Sequence, residues 1–437
     1  MSEKSFDELY RDILRQKVKP DEPLPPQYDP AHLDCLLHPE NYAPVFYTKS
    51  CSGCSKAYER ACVNSCIFDA IEESEDGKLK INPEKCTGCT ACIEACREDK
   101  LTTGRDVLPA MKAVRESEGP VYALVAPAFQ GQFRESVTPG KLRSAFCALG
   151  FDGMIEVALF ADILTMKEAL EFERHVKQTG DFQLTSCCCP IWIAMVRKVY
   201  HELMPHMPGS VSPMIACGRV VKRLHPDAVT VFIGPCVAKK SEAREPDIAG
   251  VVDYVLTFQE VQDIFDAADI HPEHLPDRQK DHSSRAGRIY ARTGGVSEAV
   301  MATVEQLWQK ETSVRKKPYK HEKILQQEES LDQKTHISVR AEQADGVPAC
   351  REMLARLQRK ETTANFFEGM GCPGGCVGGP KAILEREAGK EHVDQYGDEA
   401  AYKTPLENPY VMKLMKRLGF ETVEDLLNDG ELFTRKF

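Results

Sequence analysis

The sequence predicts an α/β chain with mostly parallel sheets, preceded by a small cysteine-rich α+β domain. Three observations carry this expectation. Residues 121–126, 153–159, 229–233 and 251–256 are apolar runs of strand length. Buried parallel strands have this continuous apolar character. Helical stretches at 141–149, 161–175, 192–203 and 257–268 separate or follow those runs, which is the alternation of crossover units. Finally, two cysteine runs lie close together before residue 100, and three further cysteine loops are spread through the rest of the chain.

With 437 residues, the chain has room for more than one domain. The expected divisions are an N-terminal extension at 1–45, a cysteine-rich domain at 46–105 and a larger domain at 106–437. Hydrophobic residues make up 42% and charged residues 28%, as in an ordinary soluble globular protein. The formal net charge of -11 disfavours nucleic acid or an anionic membrane as partner. No apolar leader and no run of about 18 apolar residues is present, so a cytoplasmic location without a membrane span is expected. The 18 cysteines of an unexported chain read as metal ligands rather than as a disulfide framework.

The extension should hold a short helix at 6–16, then an extended arm through the proline cluster between Pro20 and Pro30. Cys35, on that arm, reads as an incidental thiol. Next come Cys51-x2-Cys54-x7-Cys62-x3-Cys66 and Cys86-x2-Cys89-x2-Cys92-x3-Cys96. The second has the ligand spacing of bacterial two-cluster ferredoxins, in which the fourth cysteine of each run serves the other cluster. Cys51, Cys54, Cys62 and Cys96 are therefore assigned to one [4Fe-4S] cluster, and Cys86, Cys89, Cys92 and Cys66 to the other. Five extra residues between Cys54 and Cys62 are read as a surface loop. Two adjacent clusters serve to move electrons one at a time.

In the larger domain, three loops carry the chemistry. These are Thr185-Ser-Cys-Cys-Cys-Pro-Ile-Trp192, Gly234-Pro-Cys-Val-Ala-Lys-Lys-Ser-Glu242 and Glu368-Gly-Met-Gly-Cys-Pro-Gly-Gly-Cys376. One cysteine of the first loop with Cys236, Cys372 and Cys376 makes a tetrathiolate set, suited to a cubane iron–sulfur cluster or a structural zinc. A zinc site has no use for the surplus cysteines of the first loop. Residues 310–345 are strongly charged and expected to be exposed, and the tail from Asn408 reads as an amphipathic helix.

Taken together, the three loops resemble those of the [FeFe]-hydrogenases. The likeness extends to Ala126-Pro-Ala128, Thr293-Gly-Gly-Val296 and Glu407-Asn-Pro-Tyr410, and spans roughly residues 46–437. It implies an α/β catalytic domain behind a two-[4Fe-4S] ferredoxin-like domain. It also implies an H-cluster, a [4Fe-4S] cubane joined through a thiolate to a diiron unit with CO, cyanide and a bridging dithiolate amine. By position Cys376 is the bridging thiolate, Cys236 and Cys372 are cubane ligands, and Lys239 faces a cyanide. Ala126, Pro127, Glu242 and Met370 match the family's cofactor surroundings.

The first loop has one cysteine more than the family pattern. Counting back from Pro190 makes Cys189 the cubane ligand and Cys188 the proton-relay thiol, with Cys187 in a small-residue position. Counting forward from Ser186 shifts both roles by one. The first register is preferred, because Pro-x-Trp fixes the helix that leaves the loop. Gly234 stands where the family has methionine, and Ala128 where it has serine. Met166-Lys-Glu-Ala-Leu-Glu171 resembles the acidic relay segment, with Glu168 and Glu171 on one helix face. Ser210 or Ser212 is the nearest substitute for a downstream relay serine. The resemblance implies a ferredoxin-linked enzyme interconverting protons and H2, served by dedicated maturation proteins. Two alternatives are a hydrogen- or redox-sensing relative and an iron–sulfur assembly factor without the diiron unit.

Overall fold

The computed structural model describes residues 4–51, 54, 60–315 and 337–436. Strand β1, Val45–Tyr47, opens the cysteine-rich part, followed by β2, Ile71–Glu73, β3, Leu79–Ile81, and β4, Leu101–Thr103. The β1–β4 and β2–β3 pairs are both antiparallel. Two short helices, Ala61–Asn64 and Ala91–Ala95, start after left-handed residues Arg60 and Thr90, giving the two cysteine runs matching local shapes. Val45, Ala70, Ile71, Leu79 and Leu101 form a small core of their own with Cys51, Cys62, Cys86 and Cys92.

Strand β5, Val121–Val125, and β6, Gly153–Glu156, come next, then β7, Gln183–Leu184, β8, Val229–Gly234, and β9, Tyr254–Thr257. The last two strands are β10, Ala341–Asp345, and β11, Phe366–Met370. One sheet has the order β6-β5-β8-β9 and a second the order β10-β11-β7, and every pairing in both is parallel. The helix Ala158–His175 is buried along most of its length, including Asp162, Lys167, Glu168 and Glu171. It packs against the helices Pro213–Leu224 and Gly295–Arg315. The 185–192 loop leaves β7, the 234–242 loop leaves β8 and the 368–376 loop spans the end of β11. All three thus lie at carboxyl ends of parallel strands, the side from which α/β sheets build their sites.

Two expectations need correction. The N-terminal arm is not extended, because Pro30–Leu37 is a helix with Asp29 as its cap and proline in its first position. Proline fits there because the missing N–H is one that a helix start leaves unbonded anyway. Phe6, Leu9, Tyr10, Ile13 and Leu36 join the main core, so this stretch is anchored to the body. Within the charged stretch 310–345, Ala341–Asp345 is strand β10, pairing with β11 from Ala341↔Phe366 to Asp345↔Met370. Residues 316–336 of that stretch lie outside the described residues. No helix among the described residues is long and apolar enough to cross a membrane.

Candidate metal centre

In the cysteine-rich part, Cys66, Cys86, Cys89 and Cys92 line one small space together with Val45, Phe68, Ile71 and Ile81. Cys66 comes from the first run and the other three from the second. The partner set shows in the electrostatics of Cys54, whose thiol is pushed up by burial and then by Cys62, Cys51 and Cys96. Burial pushes Cys86 up to about 11 and Cys92 higher still. These thiols are protonated when free, so an electropositive cluster must displace their protons to bind.

The first loop of the larger part is closed by Trp192, whose indole Nε1 donates to Thr185 O at 2.9 Å. Cys189 caps the helix Pro190–Lys198, and its Sγ accepts from Gly371 N at 3.2 Å. That bond ties the first loop directly to the third. Burial pushes the Cys372 and Cys376 thiols well up, followed in each case by the nearby Cys236 and Cys189. Burial and then Cys189 raise Cys236 to about 11. Cys189, Cys236, Cys372 and Cys376 are thus near enough to raise one another's pKa. Cys89 is also among the neighbours that raise Cys372, so the cysteine-rich part abuts this centre. Cys188 faces a different group, with Cys187, Glu368 and Lys239 around it.

Lys239 is buried on the short helix Ala238–Glu242. Its Nζ donates to Glu242 Oε2 at 2.6 Å and to Cys188 O at 3.1 Å. Burial works against its charge, but Glu242 and the thiols of Cys236 and Cys376 hold its pKa above the usual lysine range. Met370 is buried at the end of β11. Ala126 follows β5, with its N–H on Ile233 O at 2.8 Å, and Pro127 opens a short 3-10 turn. Gly234 is closely surrounded. A Cβ there would lie 2.8 Å from the Phe232 ring and 3.1 Å from Ala126 Cβ.

Glu168 is wholly buried, and burial pushes its carboxyl up against the opposing pull of Ser186. Ser186 Oγ donates to its Oε1 at 2.6 Å and Gln183 Nε2 to its Oε2 at 2.9 Å. Cys187 lies between Glu168 and Cys188. Its contact with Cys188 lowers its pKa, while burial and the Glu168 charge raise it overall. Tyr290 Oη stands 4.0 Å from Cys187 Sγ and 2.8 Å from Thr165 Oγ1. Glu171 pairs with Lys167 Nζ at 3.3 Å, Arg174 Nε at 3.3 Å and His175 Nδ1 at 3.5 Å, and the last two side chains reach solvent. Ser212 caps the helix Pro213–Leu224 and Ser210 pairs with Thr434. Among the described residues no hydrogen bond links either serine to Glu168 or Glu171.

Sequence reasoning missed the parts played by Gln183, Ser186 and Tyr290, and by Cys350. Ser186 was within the loop already singled out, and its short polar side chain beside a buried acid was the available signal. Glu368, which belongs to the third loop, accepts from Gly294 N at 2.8 Å and from Ser297 N and Oγ at 2.7 Å each. A carboxylate at that helix start is favourably placed, and it fastens the Thr293-Gly-Gly-Val296 segment to β11.

A sequence profile of the iron only hydrogenase large subunit, C-terminal domain, matches residues 119–380, and a 4Fe-4S binding domain matches residues 79–99. The NADP-reducing hydrogenase subunit HndD of Solidesulfovibrio fructosivorans is 28% identical over 373 residues, covering 76% of this chain and 63% of that protein. The chain therefore spans less than two thirds of that relative. The cytosolic Fe-S cluster assembly factor NAR1 of Yarrowia lipolytica is 23% identical over 75% of this chain and 82% of its own length. The fold matches apo [FeFe]-hydrogenase HydA1 from Chlamydomonas reinhardtii with a TM-score of 0.61 and 22% identity, covering 76% of this chain and 98% of that one. With a profile match over more than half of its length, and parallel sheets that bring the three cysteine loops together, the chain belongs to the [FeFe]-hydrogenase family, as a divergent member.

Proposed function

We propose that this chain is a [FeFe]-hydrogenase that interconverts protons and H2, with electrons passing through two [4Fe-4S] clusters. The observation that carries the reading is Lys239, a buried cation beside both the tetrathiolate set and Cys188. Its ammonium has three donors, two of which are on Glu242 and Cys188 O, and the third would serve an anionic ligand beside the tetrathiolate set. The donor set fits the H-cluster. Cys189, Cys236, Cys372 and Cys376 would hold the cubane, with Cys376 bridging to the diiron unit and Lys239 facing a cyanide. When bound, that group supplies the site at which H2 is split or formed.

The remaining tasks fall to the chain itself. Lys239, fixed by Glu242, would neutralise and orient the diiron unit through a charge-assisted hydrogen bond. The contact with Cys187 and then burial keep Cys188 protonated at neutral pH, so its thiol has a proton to give and must receive another. Cys187 and Glu168 would continue the line toward Glu171, whose partner His175 could exchange protons with solvent, while Arg174 holds the Glu171 carboxylate without releasing a proton. Relays of this kind work when neighbouring groups lie within hydrogen-bond reach. The proximity of Cys89 to Cys372 supports an electron path from the second ferredoxin-type cluster to the cubane. A ferredoxin or similar one-electron carrier is the partner such clusters imply.

The likeness to NAR1 supports a second reading, an iron–sulfur assembly factor that carries clusters but no diiron unit. The protein matured with a hydrogenase's maturation proteins decides between them. The hydrogenase reading expects infrared bands of bound CO and cyanide, about fourteen irons per chain, and H2 production from reduced ferredoxin. Loss of those bands in Cys376→Ala, with both ferredoxin-type clusters kept, is expected as well. Eight to twelve irons without the bands would establish the assembly-factor reading. Bands with negligible turnover would point to a sensor.

A further inference from the structure

We propose that Cys350 is a positioning residue that tunes the reduction potential of the cubane through the Met370–Gly371 peptide. The inference rests on the proposed function, since it takes Cys189 as a cubane ligand. Strand β11 ends at Met370, and the peptide that follows is held on both sides. Its N–H, that of Gly371, donates to Cys189 Sγ at 3.2 Å. Its carbonyl, that of Met370, accepts from Gly346 N at 2.9 Å and from Cys350 Sγ at 3.3 Å. Cys350 is wholly buried near the start of the helix Val347–Gln358, where its thiol also lies 3.5 Å from Ala344 O.

A trans peptide points its N–H and C=O in opposite directions. Donors on the carbonyl therefore lie in series with the N–H···S bond and polarise the same amide. Hydrogen bonds in series strengthen one another, above all where water is excluded. An N–H···S bond to a ligating sulfur favours the reduced, more negative state of a cluster and raises its potential. Cys350 acts one bond removed, so it needs no contact with the cluster. A buried cysteine is otherwise a small hydrophobe with a weak S–H donor, and the test must separate donor from volume.

Cys350→Val fills the space without a donor, Cys350→Ala gives up both, and Cys350→Ser keeps a donor. The measurement is an anaerobic redox titration followed by EPR, on full-length protein reconstituted with iron and sulfide and free of the diiron unit. The cubane is the component lost in Cys189→Ala. In the Val and Ala variants that component is expected at a more negative potential with altered g-values. In Cys350→Ser it stays at or above the wild-type potential, and the other two components do not move in any variant. A wild-type potential in both Val and Ala, an equal downward shift in Ser, or loss of the cubane in Ser and Val alike overturns the proposal. If Cys189→Ala loses no component, the cubane assignment fails first and takes this inference with it.

Discussion

Ser186 and Glu168 are joined by a 2.6 Å hydrogen bond in the buried wall of the site. The bond draws the cysteine loop onto the Ala158–His175 helix and leaves Cys187, rather than Cys188, against the carboxylate. A relay from Cys188 to Glu168 would then have the Cys187 thiol in its path. Cys188→Ala is expected to retain the infrared bands and to lower H2 turnover by about 10²–10⁴-fold, the usual worth of a positioned acid or base. Cys187→Ala is expected to slow turnover by roughly tenfold or more, and Cys187→Ser to restore much of it. Wild-type rates in Cys187→Ala would mean that protons bypass this thiol.

Lys239 and Glu242 form a second buried pair, at 2.6 Å. Removing one partner of such a pair leaves an uncompensated charge, at a cost of about 3–5 kcal/mol. Lys239→Ala should lower the denaturation midpoint of the cluster-free protein, and Glu242→Gln added to it should recover part of the loss. A midpoint unchanged by Lys239→Ala would show that Glu242 finds another partner or takes up a proton at little cost.

Asp162 accepts from Ser284 N, Ser284 Oγ, Gly287 N and Asn408 Nδ2, tying the central helix to the 283–288 segment and to the tail. Burial pushes its carboxyl up to about 6, although those bonds pull the other way. In the unfolded chain it titrates near 4. The folded state thus holds this proton more tightly, so its contribution to stability falls as pH rises from about 4 to about 6 and is level above. Asp162→Asn turns an amide toward two backbone N–H groups and should cost about 1–3 kcal/mol at pH 7. The gap between variant and wild type should widen from pH 7 to pH 5 in denaturant titrations. A gap that narrows on acidification would reverse the sign assigned here.

Much of the fold could be read from the sequence because its main strands are apolar on both faces. Val121–Val125 and Val229–Gly234 stand out from their flanks for that reason. Ala341–Asp345 does not, because it is a polar edge strand that exists only by pairing with Phe366–Met370. Pro30–Leu37 was masked by prolines that also permit a helix start. The metal ligands were legible because thiolate chemistry imposes short local spacings. The surroundings were not, because Ser186, Cys187 and Tyr290 meet Glu168 and Thr165 across long stretches of chain. No local pattern encodes such contacts.

Cys66 and Cys89 line one small space although they belong to different runs, and this interleaving can be tested directly. If each run served its own cluster, Cys66→Ala would disturb the site of Cys51, Cys54 and Cys62. In the arrangement found, it removes a ligand from the site of Cys86, Cys89 and Cys92. That site abuts Cys372, through which electrons would reach the cubane. Cys66→Ala is therefore expected to lose about four irons, to silence H2 production from reduced ferredoxin, and to leave the CO and cyanide bands in place. Cys96→Ala should remove the other ferredoxin-type cluster. The two variants are separated by EPR of the reduced protein, through the magnetic coupling expected between the cubane and the cluster whose ligand Cys89 neighbours Cys372. That coupling should vanish in Cys66→Ala and persist in Cys96→Ala. The reverse outcome would assign Cys66 to the cluster of its own run.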